Sequence, residues 1–221
     1  MTQNLSGRVR VKVCGLTRPQ DVQAAVQGGS DAIGLVFYPA SRRAVSIEQA
    51  VALRTLVPAF VSVVALFVNA SEAEVREVIE QVQPDLLQFH GDESAQYCES
   101  FGHRYIRAFR VGGPGMENAA QVLAVCRQYM SASAWLFDSH SAGFGGSGLA
   151  LEPTLLADVL QAEDGRPVVL AGGLRADTVA QSIRVVRPYA VDVSSGVESA
   201  AGIKSAEKIA VFIRAVHDSK P

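Results

Sequence analysis

The stretch VSVVALFV (61–68) is a short run that is apolar except for Ser62 and rich in β-branched residues. Such a run is typical of a strand that is covered on both faces, as in a parallel sheet. Seven similar runs lie on either side of it: RVRVKV (8–13), AIGLVF (32–37), DLLQFH (85–90), RYIRAFR (104–110), AWLFD (134–138), PVVLAG (167–172) and YAVDVSS (189–195). The 221-residue chain is therefore predicted to contain eight strands.

Longer amphipathic segments separate or follow these runs, among them Pro19–Gly28, Ile47–Leu56, Glu72–Val82, Met116–Tyr129, Ala176–Val186 and Ser205–Val216. Helix starts are predicted at Thr17, Ser46 and Ser71, and a helix stop at Gly28–Gly29. Eight strands, each followed by a helical segment, predict an α/β fold, a single (β/α)8 TIM barrel over residues 1–221. A doubly wound sheet is the alternative that spacing alone leaves open. In both folds the functional side chains lie at the C-terminal ends of the strands.

Composition and charge narrow the classes of ligand and partner. Hydrophobic residues make up 48% of the chain, and the formal net charge is −2, so no basic excess exists for nucleic acid. Cys14, Cys98 and Cys126 are far apart and form no C-x-x-C pair, which argues against a disulfide framework and a structural zinc site. The N-terminal sequence MTQNLSGRVRVKV lacks a long apolar run, and no stretch is long enough to span a bilayer. We therefore expect no membrane partner and a cytoplasmic location.

The first strand ends in VKVCGLT (11–17), which carries a candidate reactive thiol. Side chains alternate along a strand, so Cys14 shares a face with Lys12, whose positive charge is expected to lower the pKa of the thiol. The alternatives are a small buried hydrophobic residue for Cys14 and an ion-paired interior residue for Lys12.

Asp138 ends the sixth strand, at the position that catalytic residues occupy in such barrels. A polar loop follows it, with glycines at Gly143, Gly145, Gly146 and Gly148. The alternative interpretation of Asp138 is a cap or turn residue.

Two small, amide-rich turns, AGGL (171–174) and DVSSGVES (192–199), end the seventh and eighth strands. In barrels this pair of turns commonly binds phosphate through backbone N–H groups at a helix N-terminus, and Ser194 and Ser195 add hydroxyl donors. Neither turn contains lysine. Arg175 and Lys204 are expected to add only long-range attraction, so replacing Lys204 with alanine should matter little.

Two further strand ends carry polar side chains. Arg42 and Arg43 follow the second strand, where an arginine either holds a substrate carboxylate in a bidentate pair or lies in a solvated loop. His90 ends the fourth strand, where a histidine either lines the site or serves as a cap or packing residue.

Six blocks of the chain resemble those of the phosphoribosylanthranilate isomerase family, in the same order and over almost the whole chain: VKVCGLT, DAIGLVFYPASRRAVS, LQFHGDE, FDSHSAGFGGSG, AGGLRADTV and YAVDVSSGVES. The resemblance implies an Amadori rearrangement in tryptophan biosynthesis. The aldose N-(5′-phosphoribosyl)anthranilate becomes the ketose 1-(2-carboxyphenylamino)-1-deoxyribulose 5-phosphate, with no metal or redox cofactor. It also implies a small phosphorylated substrate and a monomer or homodimer.

The same resemblance assigns roles to individual residues. Cys14 is the expected general base and Asp138 the expected general acid, while Arg43 meets the anthranilate carboxylate. His90 and Asp192 match positions that line the site. The phosphate is expected on Gly172, Gly173, Ser194, Ser195 and Gly196.

Three alternatives are weaker. The aminoaldose isomerase of the histidine pathway resembles a pair of half-barrels with aspartates as acid and base, and neither Cys14 nor the chain's lack of half-to-half similarity fits it. Indole-glycerol-phosphate synthase needs catalytic lysines that have no counterpart here. A non-catalytic barrel that binds a phosphorylated ligand would not need the Cys14 and Asp138 pair. Two segments depart from the isomerase pattern: LALEP (149–153) and ESAAGIKS (198–205).

Overall fold

The computed structural model describes residues 7–139 and 151–219 of the chain. Eight parallel strands close into a barrel in sequence order, so β8 pairs with β1. The strands are β1 Arg10–Cys14, β2 Ala32–Val36, β3 Ser62–Phe67, β4 Leu86–Phe89, β5 Tyr105–Val111, β6 Ala134–Ser139, β7 Val168–Leu170 and β8 Ala190–Val193. Each lies within or overlaps one of the eight predicted runs. The closure of the sheet confirms the barrel and rules out the doubly wound alternative.

Helices surround the barrel: α1 Pro19–Gly28, α2 Ile47–Arg54, α3 Glu72–Val82, α4 Ala95–Glu99, α5 Ala119–Cys126, α6 Ala157–Gln161, α7 Val179–Val186 and α8 Ala206–Asp218. Short 3₁₀ helices cover Arg127–Tyr129, Pro153–Leu156 and Ser195–Val197. A hairpin that the sequence did not predict follows β8, with strands β9 Glu198–Ala200 and β10 Ile203–Lys204. None of the helices in the described ranges combines the length and apolar character needed to cross a membrane.

Helix starts follow the predicted caps in two of three cases. The side chains of Ser46 and Ser71 accept hydrogen bonds from the backbones of the first turns of α2 and α3, and Ser71 forms a full capping box. The prediction for Thr17 is wrong, because α1 begins after Arg18 with no side-chain cap. The Thr17 hydroxyl instead donates to the carbonyl of Gly202, 3.2 Å away. Gly29 ends α1 in the left-handed conformation, as predicted.

Successive side chains along each strand point alternately outwards to the helices and inwards to the barrel, which gives two packed layers. In β3, Val63 and Phe67 face the helices and join the large outer core, whereas Val64 faces the barrel interior. The interior layer is filled by small and branched side chains, including Leu136 and Val169. Side chains at the C-terminal strand ends therefore lie above a closed floor. The glycines Gly143, Gly145, Gly146 and Gly148 after β6 lie outside the described residues.

Candidate active site

A single cavity at the C-terminal end of the barrel brings together the ten residues predicted to act on or bind the substrate. Its lining includes Cys14, Arg43, His90, Asp138, Gly172, Gly173, Asp192, Ser194, Ser195 and Gly196. The space between these side chains, counted out to the open mouth, is about 770 Å³. Strand alternation explains the convergence, because each strand presents its interior-facing residue at the same rim.

Cys14 lies on the floor of this cavity, beside a buried ion pair. Lys12 and Asp192 are register partners on β1 and β8, and the Lys12 ammonium lies 3.0 Å from both carboxylate oxygens. Burial raises the pKa of the Cys14 thiol, and the nearby Lys12 only partly offsets this. The expectation of a lowered pKa is therefore wrong: Lys12 is the ion-paired interior residue of the alternative interpretation, and its charge is shared with Asp192.

Asp138 shares the rim with His90, which ends β4. The Nε2 atom of His90 lies 3.5 Å from a carboxylate oxygen of Asp138. On the other side of the ring, the Gln88 amide nitrogen lies 3.3 Å from Nδ1. If this amide donates to Nδ1, the ring proton lies on Nε2 and points towards Asp138. Gln88 also lines the cavity and was missed in the sequence, although it precedes His90 by two residues on the same strand face.

Arg43 lines the cavity, but its guanidinium is already paired with a residue that the sequence did not single out. Its Nε and Nη2 atoms donate to the two carboxylate oxygens of Glu198, at 2.7 and 2.8 Å. Glu198 lies in β9, and no sequence signal pointed to it. Arg42, by contrast, is exposed.

The two turns after β7 and β8 contact each other at positions where only small residues fit. Gly172 and Gly173 have φ angles of +78° and +61°, in the left-handed region that favours glycine. In the described part of the chain their N–H groups donate to no carbonyl, which leaves them available to an anion. A Cβ on Gly196 would lie 2.0 Å from the Leu174 carbonyl oxygen, so only glycine fits where the turns touch.

The helices expected directly after these two turns start later or are shorter than predicted. The helix after β7, α7, begins at Val179 rather than Ala176, and the turn after β8 leads into the three-residue 3₁₀ helix Ser195–Val197. The N–H groups of the turns themselves are therefore the backbone donors that remain available to an anion.

Lys204 contradicts the expectation of a peripheral role. Its ammonium is fully buried, 2.9 Å from Glu198 and 3.0 Å from the Ser194 carbonyl oxygen. It also lies 3.2 Å from the Ser194 hydroxyl. The hairpin formed by β9 and β10 causes this, because it folds Lys204 back beneath the β8 turn. Replacing Lys204 with alanine is thus expected to be damaging, not neutral. Across residues 7–139 and 151–219, His, Cys, Asp and Glu side chains form no group of three or more that could hold a metal ion.

Known proteins match this chain over nearly its full length. The family model described as N-(5′-phosphoribosyl)anthranilate (PRA) isomerase matches residues 11–215. The chain belongs to this family. The N-(5′-phosphoribosyl)anthranilate isomerase of Bordetella bronchiseptica is 58% identical over 209 residues, covering 95% of this chain and 96% of that protein. That of Pseudomonas putida is 51% identical over 209 residues, covering 94% of this chain and 97% of that protein.

Solved structures of the isomerase family share the barrel. The phosphoribosylanthranilate isomerase of Thermotoga maritima superposes with a TM-score of 0.85 at 36% identity, covering 94% of this chain and 98% of that one. A family member in complex with reduced 1-(o-carboxyphenylamino)-1-deoxyribulose 5-phosphate gives a TM-score of 0.81 at 34% identity, with the same coverage. The expected family, barrel fold and isomerase class are confirmed.

Proposed function

We propose that this chain isomerises N-(5′-phosphoribosyl)anthranilate to the ketose by an Amadori rearrangement, with Asp138 as general acid and Cys14 as general base. One observation carries the residue roles. Going round the barrel from β6 to β1, the two phosphate-binding turns lie on the strands between Asp138 and Cys14. A phosphate held there leaves the attached sugar between a carboxyl and a thiol.

The reaction needs one proton delivered and one removed. Asp138 donates a proton to the ring oxygen, the bond from that oxygen to C1′ breaks, and a Schiff base forms with the anthranilate nitrogen. The thiolate of Cys14 then takes the C2′ proton, which leaves an enol that tautomerises to the ketone. The Nε2 atom of His90 lies 3.5 Å from the Asp138 carboxylate and has no hydrogen-bond partner among the described residues.

Burial has two consequences for Cys14 as a base. A raised pKa keeps the thiol mostly protonated in the empty site, which lowers the fraction ready to react. The thiolate, once formed, is correspondingly more basic towards the C2′ proton. Lys12 supplies a positive charge below the thiolate and limits the cost of its formation.

Binding energy remote from the reacting carbons orientates the substrate. The amides of Gly172 and Gly173 and the turn Ser194–Gly196 hold the phosphate, while Arg43 meets the anthranilate carboxylate. Anchoring both ends places C1′ and C2′ between the acid and the base, which lowers the entropic part of the barrier.

The test is a fluorescence assay that follows loss of phosphoribosylanthranilate after addition of the purified protein. The parent chain should turn the substrate over. Cys14→Ser should lose orders of magnitude in kcat, because a hydroxyl is a far weaker base near neutral pH. Cys98→Ser, at a buried cysteine on α4, is the matched control and should retain turnover. If the parent chain shows no turnover, the proposed activity is wrong, and the alternative of a non-catalytic barrel that binds a phosphorylated ligand is supported instead.

Asp138→Asn separates a catalytic from a structural aspartate. A folded variant with low kcat and unchanged affinity for inorganic phosphate supports the acid role. A variant that fails to fold identifies Asp138 as a structural cap instead.

Assembly and location belong to the same proposal. We expect a cytoplasmic monomer or homodimer that has no nucleic-acid or membrane partner. Mutually generated monomers of a dimeric isomerase are known from Thermotoga maritima. Light scattering of the purified chain decides between the two states.

A further inference from the structure

The hairpin of β9 and β10 is fixed against the loops that follow β1 and β2. Arg18 donates to the carbonyl of Lys204 at 3.1 Å, and Thr17 donates to that of Gly202. Gly202 has a φ of +81°, and a Cβ there would lie 2.6 Å from the Arg42 carbonyl oxygen. Only glycine allows this approach, so the hairpin packs directly on the backbone of the loop after β2.

Glu198 lies at the centre of a buried charge cluster that this hairpin creates. Its carboxylate accepts from Arg43 on one side and from Lys204 on the other, and only 7% of its side chain is exposed. Burial raises the pKa of Glu198, but the hydrogen bonds from Arg43 and Lys204 outweigh burial and hold the pKa below its ordinary value. Glu198 is therefore charged at neutral pH, and the three groups together carry one net positive charge.

The cluster joins the two anchoring regions of the cavity. Lys204 also donates to the backbone and hydroxyl of Ser194, in the turn after β8. The hydroxyl of Ser194 in turn donates to the Cys14 carbonyl, 3.1 Å away. A continuous set of contacts thus runs from the Arg43 guanidinium to the phosphate turn and on to the strand that carries the thiol.

The way in which Glu198 holds Arg43 leaves the other edge of the guanidinium free. The carboxylate occupies the edge formed by Nε and Nη2. The edge formed by Nη1 and Nη2 makes no hydrogen bond with any residue in the described ranges. A guanidinium can hold one carboxylate on each of these edges, because its five N–H groups lie in one plane.

We propose that Glu198 is a positioning residue that fixes the Arg43 guanidinium with its free edge towards the substrate carboxylate, and that Lys204 sets the distance from this edge to the phosphate turn. This inference rests on the proposed function. Without Glu198 the arginine side chain can rotate, and the local charge rises from one to two positive charges. The site then discriminates less between anionic ligands according to the position of their carboxylate.

Ligand pairs and a double-mutant cycle test this role. The probes are reduced 1-(o-carboxyphenylamino)-1-deoxyribulose 5-phosphate and the same compound without the ring carboxylate. Glu198→Gln should lower the preference for the first probe over the second about tenfold, the loss of one charge-assisted contact. The added positive charge acts on the phosphate of both probes and cancels in this ratio. In an Arg43→Ala background, the same change should cause no further loss of discrimination. Glu198→Asp keeps the charge and should restore part of it.

The matched control is Asp164→Asn, the same carboxyl-to-amide change at an exposed bidentate pair with Arg127. It should leave both affinities unchanged. Thermal unfolding checks that each variant folds, and Glu198→Asp replaces Glu198→Gln in the cycle if the latter does not.

Two results overturn the inference. One is equal weakening of both probes by Glu198→Gln, which marks a purely structural ion pair. The other is a loss of discrimination that adds to that of Arg43→Ala. Either result in a parent chain that isomerises phosphoribosylanthranilate refutes the positioning role alone, whereas a parent chain without turnover refutes the proposed function.

Discussion

Substitution of Gly34 by alanine tests how closely turnover depends on the position of the Cys14 thiol. Gly34 is buried in β2 and is the register partner of Cys14 on β1. A Cβ on Gly34 would lie 2.6 Å from the Cys14 sulfur and 3.1 Å from its Cα. Gly34 is not among the glycines with positive φ, so alanine fits the backbone but not the space in front of the thiol.

The size of the effect follows from this overlap. Non-bonded heavy atoms pack at about 3.5–4.0 Å, so the sulfur must move by roughly 1 Å. The Cα belongs to a paired strand and cannot retreat without breaking the ladder, so the side chain rotates instead. A misplacement of about 1 Å costs on the order of a hundredfold in rate, and overpacking costs about 1–3 kcal/mol of stability.

Steady-state kinetics and thermal unfolding measure both quantities. Gly34→Ala should lower kcat about a hundredfold while the affinity for inorganic phosphate stays near that of the parent, because the phosphate turns follow β7 and β8. Gly28→Ala is the control, since a Cβ there would meet only side-chain atoms of α8. In a Cys14→Ser background, Gly34→Ala should add little. A folded Gly34→Ala variant with the parent's kcat would refute the argument that the thiol must sit where β1 places it.

Three further predictions concern the charged residues of the site. Arg43→Ala should weaken substrate binding about ten- to a hundredfold and leave inorganic phosphate binding unchanged, as measured by calorimetry. Lys204→Met should lower the free energy of unfolding by about 3 kcal/mol, a fall of about 6–12 °C in Tm, because it leaves the Glu198 carboxylate with one partner. The control is Lys208→Met, which removes only an exposed hydrogen bond to the Glu198 carbonyl. A fall below about 2 °C for Lys204→Met would contradict the prediction. The pKa of Glu198 is lower in the folded state than its ordinary value of 4.5, so its stabilising contribution is present above pH 4.5 and lost as the pH falls through the folded value. The Tm of the parent should therefore fall more steeply below pH 4.5 than that of Glu198→Gln, and parallel curves would contradict this.

The strands and their facing pattern were predictable because they depend on neighbours in the chain. An apolar run such as 61–68 has to be buried on both faces, whichever strands and helices pack against it. Alternation then places Lys12 and Cys14 on one face, and Asp138 on the interior face of β6. These local rules, with the resemblance of the motifs, were enough to bring ten residues to one cavity.

The electrostatic state of the site was decided by pairs that are remote in sequence. Lys12 and Asp192 are 180 residues apart, and Arg43 and Glu198 are 155 residues apart. Lys12 does act to lower the pKa of the Cys14 thiol, but burial outweighs it, and Asp192 on the other side of the β1–β8 closure works against it. Burial of Cys14, which raises its pKa, also arises only when the barrel closes.

Eight strands, their inward and outward faces, and the order in which polar residues reach the rim all follow from residues that are close together in the chain. The partner that each charged side chain meets at the rim depends instead on the folded barrel. Local periodicity does not predict a hairpin that folds Lys204 back under Ser194, nor a Glu198 carboxylate that two cations share. Contacts of this kind depend on the closed barrel, because ring closure is what brings the end of the chain beside its beginning.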